Sequence, residues 1–450
     1  MKFYILIILC IATLKLQGQE AISDGNNIFK YPIHSEVLSN GLKVVTVPYS
    51  SPGIAAFYIV VKVGSRDEIE AGKTGFAHFF EHMMFRGTEK YPNKKYEETL
   101  KAVGASANAN TSLDRTVYHM TGNAEKLETM FDLEADRFRN LKYSVQDFKT
   151  EAGAVKGEYT KNFANPITQL NEKLVSTAFT SHTYKHTTMG FFEDIVDMPN
   201  QYEYSLEFFN RFYRPEYTTV IVVGDVTHQK VMQLSKKYFG DWEKGDYKSP
   251  VPQEPSQNET RFTHVKVADY PPYLRLSYKG PGYDASNIEH AAIDLTLSLL
   301  FSEKSELYKK LVMDEQVVRS LRGGYFFTID PNLISVFASL KKEKDMQYVK
   351  DEILSAIEKL KSTPVKKSDL DEAISREKYS FAMRMDSPDQ IANTLSYYTW
   401  LTGNPEDVNK YYSLYDKITP EDISNAAKKY FTPERLTIGT ISASETTPVQ

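Results

Sequence analysis

The stretch His78–Pro92, HFFEHMMFRGTEKYP, places two histidines four residues apart with a glutamate directly before the second. On a helix, residues at that spacing share one face about 6 Å apart. His78 and His82 can therefore turn their imidazoles toward a single ion, and Glu81 sits beside the pair. A helix is expected from about Thr74 to Phe85, with Gly87 as its stop. Imidazole suits Zn2+, which takes tetrahedral N/O coordination; a catalytic site keeps three protein ligands and leaves the fourth position to water. A carboxylate that is not a ligand can take a proton from that water and hand it to a leaving amine, and Glu81 is the candidate for that role. The His-x-x-Glu-His order inverts the commoner His-Glu-x-x-His motif and is itself a metallopeptidase signature. Without a metal, the same residues are two histidines and an acid on a half-exposed helix face.

A third ligand has to come from elsewhere. Ser144 to Asp147 reads as a capping box opening another helix. That helix carries Glu151 and Glu158, seven apart and so on one face, with Ala154 and Val155 between them. A carboxylate among small apolar residues is costly to bury without a partner, and a cation supplies one. Two solvated acids on a charged helix are the plain alternative. His182 and His186 in TSHTYKHTTMG repeat the four-residue spacing, but their Thr-rich, Gly-ended surroundings favour a loop. His34, His119, His228, His264 and His290 lack partners at useful spacing.

Outward from these motifs the chain alternates strands and helices. SEVLSNGLKVVTVP holds Asn40-Gly41 between apolar runs, a hairpin signal. GIAAFYIVVKVGS is a buried-strand candidate, ANANTSLDRTVYHM returns to strand, KLETMFDLEADRFRN has helical spacing, and YTTVIVVGDV closes this half as a strand. Residues 244–260 contain three prolines and few large apolar side chains, and read as a linker. Beyond it the pattern recurs. FYRPEYTTV (Phe212–Val220) matches YFTPERLTI (Tyr430–Ile438), with Pro215 and Pro433 218 residues apart; Gly64 and Gly282 are 218 apart as well. DFKTEAGAVKGEY from Asp147 resembles DLDEAISREKYSF from Asp369, shifted by four more. The expected fold is α+β: two related α/β halves, each a mostly antiparallel sheet with helices on one face. Residues 20–243 carry the metal motif; residues 261–450 form a related domain that has only His264 and His290 and cannot repeat it.

With 450 residues and 41% hydrophobic content, the chain is long enough for more than one core. A net charge of -5 and the lack of a long Lys/Arg run argue against a nucleic-acid partner. Residues 1–19 begin with a lysine followed by the apolar run Phe3–Leu14. The run is shorter than the ~20 residues a membrane span needs and fits a secretory signal cut near Gly18 or Gln19. Cys10, the one cysteine, lies inside it, so the exported chain is expected without disulfides. No later segment is apolar enough to span a membrane, and the expected location is the periplasm or the cell exterior.

HFFEHMMFRGTEKYP, then NANTSLDRTVY, then a glutamate 76 residues after His82, resembles the pitrilysin/insulinase metallopeptidases, which include the mitochondrial processing peptidases. The resemblance extends over nearly the whole mature chain. It implies a zinc-dependent endopeptidase of peptides or unfolded segments. One Zn2+ per chain would be held by His78, His82 and Glu158, with Glu81 as the base. It gives Glu151 the part of an acid kept near the site, orienting a metal-bound histidine. It gives Asn108 and Ala109 a strand edge that holds an extended peptide by main-chain hydrogen bonds; by itself NANTS reads as a polar turn.

The second half departs from the family pattern. There an Arg and a Tyr seven residues apart follow a Ser-x-Leu-Tyr-like segment and help bind substrate or stabilise the oxyanion. SELYKKLVMDEQVVRSL holds Val312 and Arg319 at those positions, and Glu315 and Gln316 read as helix-face residues. The family's proteolytic chamber also uses four such halves, and this chain supplies two. The expectation is a dimer, either with a related subunit that carries the Arg/Tyr pair or with a second copy. The rival reading is a non-catalytic core, assembly or peptide-binding subunit on the same fold, which predicts lost ligands in the first half.

Overall fold

The computed structural model describes residues 27–450, so the expected signal, residues 1–19, lies outside the described residues. The first half forms a six-stranded sheet from β1 (His34–Val37), β2 (Lys43–Pro48), β3 (Ile54–Val61), β4 (Ser106–Thr111), β5 (Thr116–Asn123) and β6 (Thr218–Gly224), in the order β1-β2-β6-β3-β5-β4. The second forms a five-stranded sheet from β7 (Arg261–Lys266), β8 (Tyr273–Lys279), β9 (Val318–Tyr325), β10 (Leu333–Leu340) and β11 (Leu436–Ser442), in the order β7-β11-β8-β10-β9. With β1 set aside, the two orders match strand for strand. β6 lies parallel to β2 and antiparallel to β3; β11 lies parallel to β7 and antiparallel to β8. Pro215 and Pro433 each open a short 3-10 turn directly ahead of that shared strand. Proline suits the place because its φ is preset and its missing N–H has no partner to lose.

The strand alternation explains how the halves are joined. In β3, Ala55, Phe57, Ile59 and Val61 pack with the Phe76–Met83 and Leu127–Asn140 helices of their own half. Ala56, Tyr58 and Val60 face the other way and are equally buried. A sheet with two apolar faces needs two covers. The second cover is the Pro388–Thr402 helix of the other half, whose Ile391, Leu395 and Tyr398 share the cluster with Tyr58 and Val60. The exchange is reciprocal: the Pro166–Ala178 helix of the first half lies across β7 and β11. Gly439 permits that approach, since a Cβ there would come within 2.8 Å of Leu174 Cδ1 and 3.0 Å of Leu170 Cδ1. Each half keeps its own helices on one sheet face and lends one helix to the other.

Residues 244–260 form neither helix nor strand but are pinned in place. Glu254 accepts the amides of Thr180, Ser181 and His182 and pairs with Lys279. Desolvation opposes its ionisation, yet Lys279 and the amides outweigh it and hold the carboxyl at about 2. Nearby, the β9–β10 loop is tied to the first half. Asp330 takes hydrogen bonds from Arg66 and from His182 Nε2 at 3.0 Å. Asp114, in the β4–β5 turn, accepts from Tyr184 Oη at 2.6 Å and from the Ile329 amide at 2.9 Å.

This joint predicts a pH-dependent stability. Desolvation raises the Asp330 carboxyl, but His182 and Arg66 outweigh it and hold it at about 2. A depressed carboxyl stabilises the folded state above the unfolded value of ~3.9 and loses that contribution as pH falls toward the folded value. Asp330→Asn should cost about 1–2 kcal/mol at pH 7 after allowance for solvent screening. In urea titrations the gap from the parent should be constant from pH 8 to 5 and narrow below about pH 4.

Candidate metal centre

The Phe76–Met83 helix buries Phe76, Phe79, Phe80 and Met83, the spacing of one apolar face. His78, Glu81 and His82 lie off that stripe. The helix is shorter than the Thr74–Phe85 expected. It starts after Gly75, whose φ of +91° lies in the left-handed region; a Cβ there would sit 2.4 Å from Ile195 Cδ1. Gly75 has no side chain with which to cap the free amides, and Glu68 does it instead: its Oε2 accepts from Gly75 and its Oε1 from Ala77, each at 2.8 Å. Burial pushes the Glu68 carboxyl well above its usual range, against the pull of those two amides. The far side of the helix is tied to the sheet by Tyr118 Oη, which donates to the Phe80 carbonyl at 3.1 Å.

The Val145–Phe163 helix opens on the expected capping box. The Asp147 amide donates to Ser144 Oγ at 3.1 Å, and the Ser144 amide donates to Asp147 Oδ2 at 3.0 Å. It brings both acids to the histidines, in different ways. Glu158 Oε2 lies 3.3 Å from His82 Nε2 and 3.7 Å from His78 Nε2. One donor atom from each of His78, His82 and Glu158 lies within 4.8 Å of the others. A tetrahedral ion with bonds of ~2.0–2.1 Å spaces its ligands by roughly 3.3 Å, so the donor set fits Zn2+. Asn162 Nδ2 holds Glu158 Oε1 at 3.3 Å and leaves Oε2 to the site.

Glu151 meets the same histidine on its other nitrogen. Its Oε1 is 2.9 Å from His82 Nδ1, and its Oε2 accepts from Arg86. Desolvation raises this carboxyl, but His82 and Arg86 outweigh it and keep it below the usual range. A proton on His82 Nδ1 leaves Nε2 as a lone pair facing the Glu158 carboxylate, and two acceptors so close repel unless a cation lies between them. The bond to Glu151 raises the His82 imidazole, while burial, and then the neighbouring His82, lower that of His78. Arg86 was not singled out in the sequence, although it lies inside HFFEHMMFR, four residues past His82.

Glu81 borders an open cleft of about 340 Å3 lined also by His82, Phe85, Asn93 and Asn108. β4 is the outermost strand of its sheet. Asn108 is exposed on it; the Ala109 side chain is buried, and the Ala109 amide donates to Asn108 Oδ1 at 2.9 Å. The other four-spaced pair does not converge. His182 Nδ1 accepts the Tyr184 amide and its Nε2 faces Asp330, while His186 Nδ1 bonds the Thr187 carbonyl. Among the described residues, His78, His82 and Glu158 are the one group of three with metal-ligand spacing.

The second half builds no such group. At the offset of 218, Thr296, Leu299 and Leu300 stand where the first half has His78, Glu81 and His82, and at the offset of 222 that relates Asp147 to Asp369 the exposed Ser380 stands where it has Glu158. Arg319 is exposed on β9, the outermost strand of its own sheet, with Nε donating to the Leu340 carbonyl at 3.3 Å. Glu315 and Gln316 are not helix-face residues as expected. The helical turn widens at Lys309–Asp314, Glu315 closes it, and Gln316 takes a φ of +52°, a left-handed backbone that an L side chain adopts under strain.

Residues 43–190 match the family model described as insulinase (peptidase family M16), and residues 201–377 match that described as the peptidase M16 inactive domain. The zinc protease PqqE of Helicobacter pylori is 28% identical over 408 residues, 89% of this chain and 90% of that one. The crystal structure of a protease from Helicobacter pylori superposes with a TM-score of 0.85 at 26% identity, covering 92% of this chain and 99% of that chain. The periplasmic protease PqqL of Escherichia coli shares the fold with a TM-score of 0.73 at 18% identity; 92% of this chain covers 48% of that longer one. The two family models together take in most of the chain, so the chain belongs to the insulinase family, peptidase family M16.

Proposed function

We propose that this chain is a zinc-dependent endopeptidase that hydrolyses peptides or unfolded polypeptide segments. The observation that carries the proposal is the convergence of His78 Nε2, His82 Nε2 and Glu158 Oε2, with His82 and Glu81 both lining an open cleft. These three side chains would hold one Zn2+. Zinc in such a site supplies Lewis acidity and brings the pKa of water down from ~15.7 to ~7. Glu81 takes the proton of the attacking water and returns it to the leaving amine. Glu151 keeps His82 in the tautomer that presents Nε2. The open edge of β4 at Asn108 and Ala109 takes the substrate as an added strand, which reads main chain and leaves sequence preference loose. The zinc proteases among the relatives support this activity.

The active form is a dimer. Val312 and Arg319 stand where the family's Arg and Tyr would be, so a related subunit carrying that pair completes the site; a pair of identical chains is the alternative. The match of this chain to about half of PqqL accords with a chamber of twice its size. Export to the periplasm or the cell exterior accords with residues 1–19 and with the periplasmic description of PqqL. Among the described residues, no helix is long and apolar enough to cross a membrane.

The test is metal analysis and quenched-peptide cleavage on residues 19–450, alone and with a related subunit, with and without chelator. One zinc per chain and chelator-sensitive, zinc-restorable cleavage are expected. A chain that binds no zinc overturns the proposal, and full activity from an isolated monomer overturns the dimer.

A further inference from the structure

One strand serves both the substrate edge and the base. In β4, Ala109 points into the core beneath the metal helix, and Thr111, two residues on, points to the same side. Thr111 Oγ1 donates to Glu81 Oε2 at 2.6 Å. That bond has the length of a charge-assisted O–H···O⁻ contact. Among the described residues it is the one hydrogen bond that the Glu81 side chain makes, and Glu81 Oε1 is left facing no protein donor. Thr111 is itself held firmly. It ends β4 opposite Thr116, and Arg115 Nη1 closes the turn onto the Asn110 carbonyl at 3.2 Å.

We propose that Thr111 is a positioning residue for Glu81, an inference that rests on the endopeptidase reading above. A glutamate on a helix surface has three rotatable bonds and samples several rotamers. Thr111 selects the one in which Oε2 is turned to β4, so that Oε1 is presented to the cleft. Ala109 and Thr111 lie on the same strand, so the element that registers the peptide also sets the base. A peptide paired along β4 is then placed relative to Glu81 by a single rigid piece of backbone. Proton transfer depends steeply on such placement, because the reacting atoms must stand within about 3 Å and aligned.

The proposal is tested with Thr111→Val, which keeps the shape and removes the donor, and Thr111→Ser, which keeps the donor. Thr111→Val should lower kcat about 10–100-fold with KM and zinc content unchanged. Thr111→Ser should stay within about threefold of the parent. Crystals of the metal-free protein give a readout independent of turnover: the Glu81 carboxylate should hold one orientation in the parent and swing away from β4 in Thr111→Val. Equal kcat for Thr111→Val and the parent, equal impairment of the Val and Ser variants, or an unmoved carboxylate would each overturn the inference. A parent that binds zinc but cleaves nothing, alone or with a related subunit, instead defeats the endopeptidase reading, and the metal-free crystals still decide what holds Glu81.

Discussion

Glu81→Gln is expected to lower kcat by about 10²–10⁴-fold while zinc stays at one per chain and KM holds. The amide matches the carboxylate in shape, and its oxygen can still accept from Thr111 Oγ1. It cannot take a proton at any working pH, so the variant removes one chemical step and little else. His78, His82 and Glu158 keep their donors, and the Glu151–His82 contact at 2.9 Å is untouched. Metal analysis, peptide affinity and single-turnover cleavage on one preparation separate the outcomes. Lost zinc would make Glu81 part of the ligand set. Unchanged turnover would move the base to another residue. The peptide-binding reading of this fold needs no base and predicts full affinity and no turnover in the parent as well.

The halves were legible because their marks are local. A proline ahead of a central strand and a glycine at a strand end have backbone causes, and each recurs at one offset in the sequence and in the two matching sheets. His78, His82 and Glu81 were legible because helical spacing alone puts them together. The exchange of the Pro166–Ala178 and Pro388–Thr402 helices was not, although both faces of β3 read as apolar. A helical pattern shows that a face is buried and does not show against which sheet. Glu68 was missed for a related reason. Its value lies in two amides, seven and nine residues on, that become neighbours only when the chain turns at Gly75. Gln316 misled because its residue type suits a helix, while its backbone takes the left-handed form that glycine takes easily.

Glu151 and Glu158, seven apart on one helix face, were equivalent candidates for the third ligand by spacing alone, and their replacements should separate them. Glu158 points its Oε2 at the Nε2 atoms, while Glu151 holds His82 from behind at Nδ1. Glu158→Ala removes one of three donors. Zinc should be lost on simple dialysis, turnover should fall to that of the chelated parent, and added zinc should not restore it. Glu151→Gln keeps an acceptor for Nδ1–H but loses the charge and leaves Arg86 without its partner. Zinc affinity should weaken about 10–100-fold, and excess zinc should recover most of the turnover. Titration of both metal-free proteins with zinc, followed by cleavage at saturation, gives the ranking. Tight zinc binding by Glu158→Ala together with its loss in Glu151→Gln would reverse the two roles. In that case the Val145–Phe163 helix would have to rotate to bring Glu151 Oε1 around to Nε2, breaking the contact that now sets the His82 tautomer.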